Sequence, residues 1–91
     1  MNIKHLNYFR EIVNCEFNLS EAARKLNITQ PSLSMLISSW ENSYDICLFK
    51  KINSRFTGLT GAGEYVYNYA TEMLEKQEVF YKGLEDYKNV E

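Results

Sequence analysis

A mainly α fold, with three short helices, a two-stranded hairpin and one long closing helix, is predicted for this 91-residue chain by three observations. Residues 19–38, LSEAARKLNITQPSLSMLIS, read as two short helices joined by a tight turn. Residues 46–60 hold two short apolar flanks around a polar tip, and from Thr60 onward apolar residues recur at helical spacing. This divides the chain into a small domain over residues 1–60 and a long helical segment over 61–91, with no internal repeat, low-complexity tract or proline- or serine-rich linker.

Ile3, Leu6, Phe9, Ile12 and Val13 form the apolar stripe of a first helix that ends near Asn14. Asn18 can cap the second helix through its side-chain oxygen, and Glu21 stands three residues later, where it can reach back to the cap amide. Ala22, Ala23 and Leu26 then make a compact stripe whose two small residues admit a neighbouring helix, which sets this helix at 19–26. Asn27 and Ile28 make the turn, Thr29 caps the next helix, and Pro31 lies in its first turn, where no amide hydrogen is missed. In that third helix Leu33, Ile37, Trp40 and Tyr44 share one face, the core face. The opposite face carries Pro31, Ser34, Met35, Ser38 and Asn42, short or unbranched and uncharged. On an isolated helix such a face is merely solvated. Behind a short helix and a three-residue turn it is the outer face of a helix-turn-helix, whose chemistry is DNA reading.

Ile46, Leu48 and Phe49 before Lys50 and Lys51, and Phe56 and Leu59 after Arg55, suit two short strands with Asn53 and Ser54 at the tip: a wing over 46–60. Thr60 caps the long helix, with Gly61, Ala62 and Gly63 in its first turn; the two glycines fit either close packing against a neighbour or a weak helix start. Ala62, Val66, Tyr69, Ala70, Met73 and Leu74 repeat at helical spacing, and Phe80, Tyr81, Leu84 and Tyr87 resume it. A helix over 62–87 is longer than a small domain can cover. Ala62, Val66, Tyr69, Met73 and Phe80 are therefore the expected seam with a partner, a second copy of the chain.

Composition excludes more than it identifies. With 45% hydrophobic residues the chain can build one modest core. It has no apolar run long enough to span a bilayer, and its polar, periodic start is unlike a secretory signal, so a soluble cytoplasmic protein without a membrane partner is expected. Cys15 and Cys47 form no metal-spaced set and are expected as buried or half-buried thiols without function. The lone His5 sits on an amphipathic helix with no nucleophile, base and orienting acid assembled around it, which argues against an enzyme and for a satisfied surface histidine. No metal or cofactor is expected in this chain.

The formal net charge of -2 runs against nucleic-acid binding, but its distribution does not. Residues 1–18 balance; residues 19–60 hold five cations against three anions, a net +2; residues 61–91 hold three lysines against seven acids, a net -4. The acidity lies in the closing helix, away from the wing. Lys50, Lys51 and Arg55 can hold phosphates, and the third helix can read base edges. Gln30 has the amide that pairs bidentately with adenine, Ser34 serves as donor or acceptor, and Met35 or the Pro31 ring can contact a thymine methyl; with Ser38 these complete the base-reading set.

The continuation ITQPSLSMLISSWENSYDICLFKK, then LTGAG, preceded by NIKHLNYFREIV, resembles the DNA-binding domain of the LysR-type transcriptional regulators over roughly residues 1–75. The resemblance implies a winged helix-turn-helix followed by a linker helix that pairs two subunits on an inverted repeat in double-stranded DNA, with higher oligomers possible in a longer protein. It places Gln30, Pro31 and Ser34 at DNA-facing positions, Ser20 and Ser32 near phosphates, and Arg55 at a wing position that enters a minor groove. Thr29, Lys50, Lys51 and Ser54 complete the expected phosphate and wing set. The departures are as informative: Met35 stands where an arginine is common, Asp45 replaces a glycine, and Gly61 replaces a polar or acidic residue. Met35 points away from guanine recognition by this helix and toward an A·T-favouring site; aspartate at 45 can visit the left-handed region at some cost.

The family also implies a C-terminal domain that binds a small-molecule effector. The unfinished stripe at the end of the chain predicts a fragment cut after the linker helix, with a naturally short regulator as the alternative. The rival function is a winged-helix interaction module that has lost DNA binding, which the uncharged outer face, the acidic total and the tyrosines at 65, 67, 69, 81 and 87 would suit.

Overall fold

The computed structural model describes residues 1–90 and places α1 at Ile3–Asn14, α2 at Leu19–Leu26, α3 at Gln30–Tyr44, β1 at Phe49–Ile52, β2 at Arg55–Leu59 and α4 at Gly61–Glu85. Glu91, the last residue of the expected linker segment, lies outside the described residues. The helix starts follow from local capping chemistry. The side chains of Asn2, Asn18, Thr29 and Thr60 accept from the amides of His5, Glu21, Ser32 and Gly63. The reciprocal half of the expected capping box is absent: the Asn18 amide donates to the Cys15 carbonyl at 3.1 Å, and Glu21 pairs with Arg24 one turn on. The preceding turn has already used the amide that Glu21 would have reached.

The core is the meeting place of every element. Phe9 and Ile12 from α1, Ala22 and Ala23 from α2, Leu33, Ile37 and Trp40 from α3, and Leu48 and Phe49 at the entry to the wing form one buried cluster. Ala22 and Ala23 are small enough for α2 to be crossed closely, so burial there needs no bulky side chain. Phe49 stacks on Phe56 at 4.7 Å and tilts against Phe9 at 5.1 Å, fixing the hairpin to the helices. A smaller cluster of Leu6, Ala70 and Leu74 seats α4 on α1.

Several expectations are corrected. Tyr44 is 52% exposed instead of lying in the core, because α3 ends there, one turn past Trp40; its hydroxyl accepts from the Met1 ammonium at 2.6 Å. Cys47 is exposed, since the extended segment around it turns Leu48 inward and its own side chain outward, while Cys15 is half-buried with its thiol donating to Glu11 at 3.6 Å. His5 is half-buried instead of lying on the surface and packs against Trp40 at 5.5 Å; burial, then the N-terminal ammonium and Lys4, hold its pKa below the usual histidine value. The long helix stops at Glu85, and Asp86, Tyr87 and Lys88 donate to carbonyls three residues back, the tightening usual at a helix end. No helix among the described residues is long and apolar enough to cross a membrane.

The two glycines of the α4 start divide the two readings between them. A Cβ on Gly63 would overlap the Leu48 carbonyl oxygen, so Gly63 is there for close approach, whereas a Cβ on Gly61 would meet open space.

Candidate nucleic-acid interface

The turn between α2 and α3 is built as the residues dictate. Asn27 closes α2 in the left-handed region, at φ 61° and ψ 38°, which asparagine tolerates. Its amide and that of Ile28 return to α2 carbonyls, and Thr29 opens α3. At the far end of α3, Asp45 adopts φ 53° and ψ 44°, the left-handed conformation expected of it despite the missing glycine.

The outer face of α3 presents Gln30, Pro31 and Ser38 as exposed residues, with Ser34 half-buried and Met35 73% exposed. Gln30 Nε2 donates to Ser34 Oγ at 2.8 Å, which couples two of the expected base readers. Thr29 and Ser32 are also joined, the Thr29 hydroxyl donating to Ser32 Oγ at 2.7 Å. Along this face Ser34, Met35, Ser38, Ser39 and Asn42 line a shallow depression of about 370 Å³.

Beside it runs a groove of about 490 Å³ between the start of α2 and the wing, where Asn18, Ser20, Gln30, Ser54, Arg55 and Thr57 meet. It gathers four of the expected residues from three elements. Lys50 and Lys51 lie outside its lining, on β1, exposed; Lys51 Nζ rests over the Phe56 ring at 5.2 Å. Among the described residues Lys50, Lys51 and Arg55 enter no ion pair, whereas Arg24 is engaged by Glu21 and Lys25 lies 3.8 Å from Glu11. Between residues 19 and 60, the cations in no ion pair are those of the wing.

The wing is a tight antiparallel hairpin, pairing Ile52 with Arg55, Lys51 with Phe56, Lys50 with Gly58 and Phe49 with Leu59. Asn53 and Ser54 form its two-residue tip, both at positive φ, 51° and 65°, the geometry that matches the twist of the strands. An irregularity between Lys50 and Lys51 leaves Thr57 as the extra residue on β2.

Three contributions were not foreseen from the sequence. Glu16 and Phe17 line the groove and both hold positive φ, 55° and 67°; neither residue type marks such a conformation. Glu41 turns inward, its Oε2 accepting from the Leu48 amide at 2.7 Å and the Phe49 amide at 3.2 Å, and so ties the wing to α3. An acid between Trp40 and an exposed asparagine was the available signal, and it read only as surface charge.

The expected partner seam is split by the fold. Ala62, Val66 and Met73 are partly buried against the chain's own clusters, while Tyr69 and Phe80 are 51% and 60% exposed. Val66 and Met73 are only partly exposed in the single chain, because α1 covers the first half of α4.

Known proteins share this arrangement. The chain is 41% identical over 69 residues to the HTH-type transcriptional regulator AlsR of Bacillus subtilis (strain 168), a match covering 76% of this chain and 22% of that protein. It is 38% identical over 74 residues to the HTH-type transcriptional regulator BenM of Acinetobacter baylyi, covering 81% and 24% respectively. The chain thus spans only about a quarter of the length of these relatives. The crystal structure of a BenM DBD in complex with benA site 1 DNA superposes with a TM-score of 0.87 at 27% identity, over 100% of both chains. A matching family model covers residues 3–64, the helices, the wing and the start of α4, and the chain belongs to that family, the bacterial regulatory helix-turn-helix proteins of the lysR family.

Proposed function

We propose that this chain is the DNA-binding part of a LysR-type transcriptional regulator and reads an inverted repeat in double-stranded DNA as a homodimer. The observation that carries the reading is the uncharged, small-residue face of α3 set beside a groove that ends in Arg55 and flanked by the unpaired lysines of the wing. In this reading α3 enters the major groove, where Gln30, Pro31, Ser34, Met35 and Ser38 meet base edges. Ser20, Thr29, Ser32, Lys50, Lys51 and Ser54 lie along phosphates, and Arg55 reaches the neighbouring minor groove. The BenM domain that shares this fold was crystallised in complex with DNA, which supports the reading.

Pairing through α4 supplies the second half-site. Transcriptional control, a cytoplasmic location and a non-enzymatic role belong to the same reading, in keeping with relatives that are transcriptional regulators. The chain needs no cofactor of its own here, and response to a small-molecule effector would fall to a C-terminal domain beyond these 91 residues.

The test is a titration of duplex DNA at several salt concentrations with the wild type and Arg55→Ala. Wild-type affinity should fall steeply as salt rises, and the variant should bind all sequences more weakly with a shallower salt slope. Glu16 in the groove and the net charge of -2 favour a second reading, an interaction module without DNA binding. Undetectable wild-type binding at low salt would establish that second reading over the first.

A further inference from the structure

The outer face of α3 carries no cation, and its chemistry narrows what it can read. Glu41 is the one charged side chain between Gln30 and Tyr44, and it is spent on the amides of Leu48 and Phe49. The major-groove edge of guanine offers two acceptors, which are read by the paired donors of arginine or by lysine. Neither is present on this helix.

Met35 stands instead at the centre of the face, 73% exposed and absent from both buried clusters, so the fold makes no use of its side chain. Its neighbours Ser34, Ser38, Ser39 and Asn42 are all short, and the depression they line leaves the thioether open along its side. An exposed, flexible and polarisable apolar side chain with small polar neighbours fits one feature of the major groove, the C5-methyl group of thymine. One turn earlier, the Gln30 amide is held by its bond to Ser34 at 2.8 Å, leaving Oε1 and the second Nε2 hydrogen free. That acceptor and donor match N6 and N7 of adenine. Ser34 acts there as a positioning residue.

We propose that Met35 is a specificity-determining residue that reads a thymine methyl, so that the base pairs beneath α3 in each half-site are A·T. This rests on the DNA-binding function proposed above. The discrimination comes from burial of a methyl group against the thioether, and so it survives any change that keeps the methyl and disappears with it.

The experiment first selects bound sequences from random duplex DNA with the wild-type chain. Each thymine of the selected half-site is then replaced by deoxyuridine, which removes only the methyl group. One position should weaken wild-type binding roughly fourfold, the equivalent of one buried methyl group. A 5-methylcytosine·guanine pair at that position should bind better than unmethylated cytosine·guanine. Met35→Ala should bind thymine and uracil duplexes equally, and Met35→Arg should select guanine there. Selective binding with a flat uridine scan, or discrimination that persists in Met35→Ala, overturns the assignment and leaves DNA reading intact. Absence of sequence-selective binding by the wild type overturns both. The uridine scan on the wild type decides the question even if a variant folds poorly.

Discussion

At the scale of single residues, Asp45 is the place where this chain accepts a cost. It closes α3 with φ 53° and ψ 44°, its amide donating to the Asn42 carbonyl at 3.3 Å, while the Ile46 amide reaches the Glu41 carbonyl at 3.1 Å. The hydrogen bonds need the left-handed conformation, and the Cβ of an L-residue crowds its own backbone there. A carboxylate at the end of a helix also opposes the helix dipole. Asp45→Gly should therefore raise stability by about 1 kcal/mol, read as a higher urea midpoint with an unchanged slope. A lower midpoint would mean that the carboxylate has a role of its own. This position was legible through the resemblance to the LysR-type domains, which places a glycine after the third helix where this chain has an aspartate. The positive φ of Glu16 and Phe17 was not legible, since their side chains give no local reason for it; the close connection between α1 and α2 imposes it.

At the scale of elements, caps and apolar periodicity carried most of what could be read. Asn18, Thr29 and Thr60 satisfy amides within three residues of themselves, so their chemistry is contained in the local sequence. Tyr44 shows the limit of periodicity, which says which residues share a face and cannot say where the core behind that face ends. Gly61 and Gly63 show another limit. The same residue type two positions apart serves two purposes, and only the position of the Leu48 carbonyl separates them. Gly63→Ala should destabilise by about 1 to 3 kcal/mol, because the overlapped atom belongs to backbone that cannot swing aside. Gly61→Ala should stabilise by about 0.5 kcal/mol, because it restricts the unfolded chain without meeting anything in the folded one. Thermal unfolding of the two variants checks both signs, and two shifts of the same sign would refute the distinction.

At the scale of the whole molecule, the shape is set by α4, which makes the chain 57 Å long and only 26 Å and 22 Å across. Its first half packs on α1, while Val79, Phe80, Leu84 and Tyr87 in its second half and just beyond are 49% to 71% exposed. Periodicity found the apolar stripe but could not divide it between the chain's own domain and a partner, and so could not show that Val66 and Met73 already pack on the chain's own clusters. The informative substitution is consequently Phe80→Glu, which puts a charge on the uncovered half and leaves the core untouched. Sedimentation equilibrium should find a dimer for the wild type and a monomer for the variant, with binding to a paired site weakened far more than binding to a half-site. A monomeric wild type, or a variant that dimerises unchanged, would remove α4 as the pairing element.

The peptide around Leu48 joins these scales. Its amide is held by Glu41 of α3, its carbonyl accepts from the Thr60 amide at 3.1 Å and lies against Gly63, and the Thr60 hydroxyl donates to the Cys47 carbonyl at 2.6 Å. Through these contacts α3, the wing and the start of α4 meet at one peptide. In mechanical terms α4 is a lever about 37 Å long with α3 joined at its short end. A turn of about 5° about that peptide corresponds to a displacement of about 3 Å at the far end, close to the spacing of one base pair. In the proposed dimer, the distance between the two α3 helices would accordingly be set by how the far ends of the levers cross, and whatever shifts that crossing would change the spacing of half-sites the pair can span.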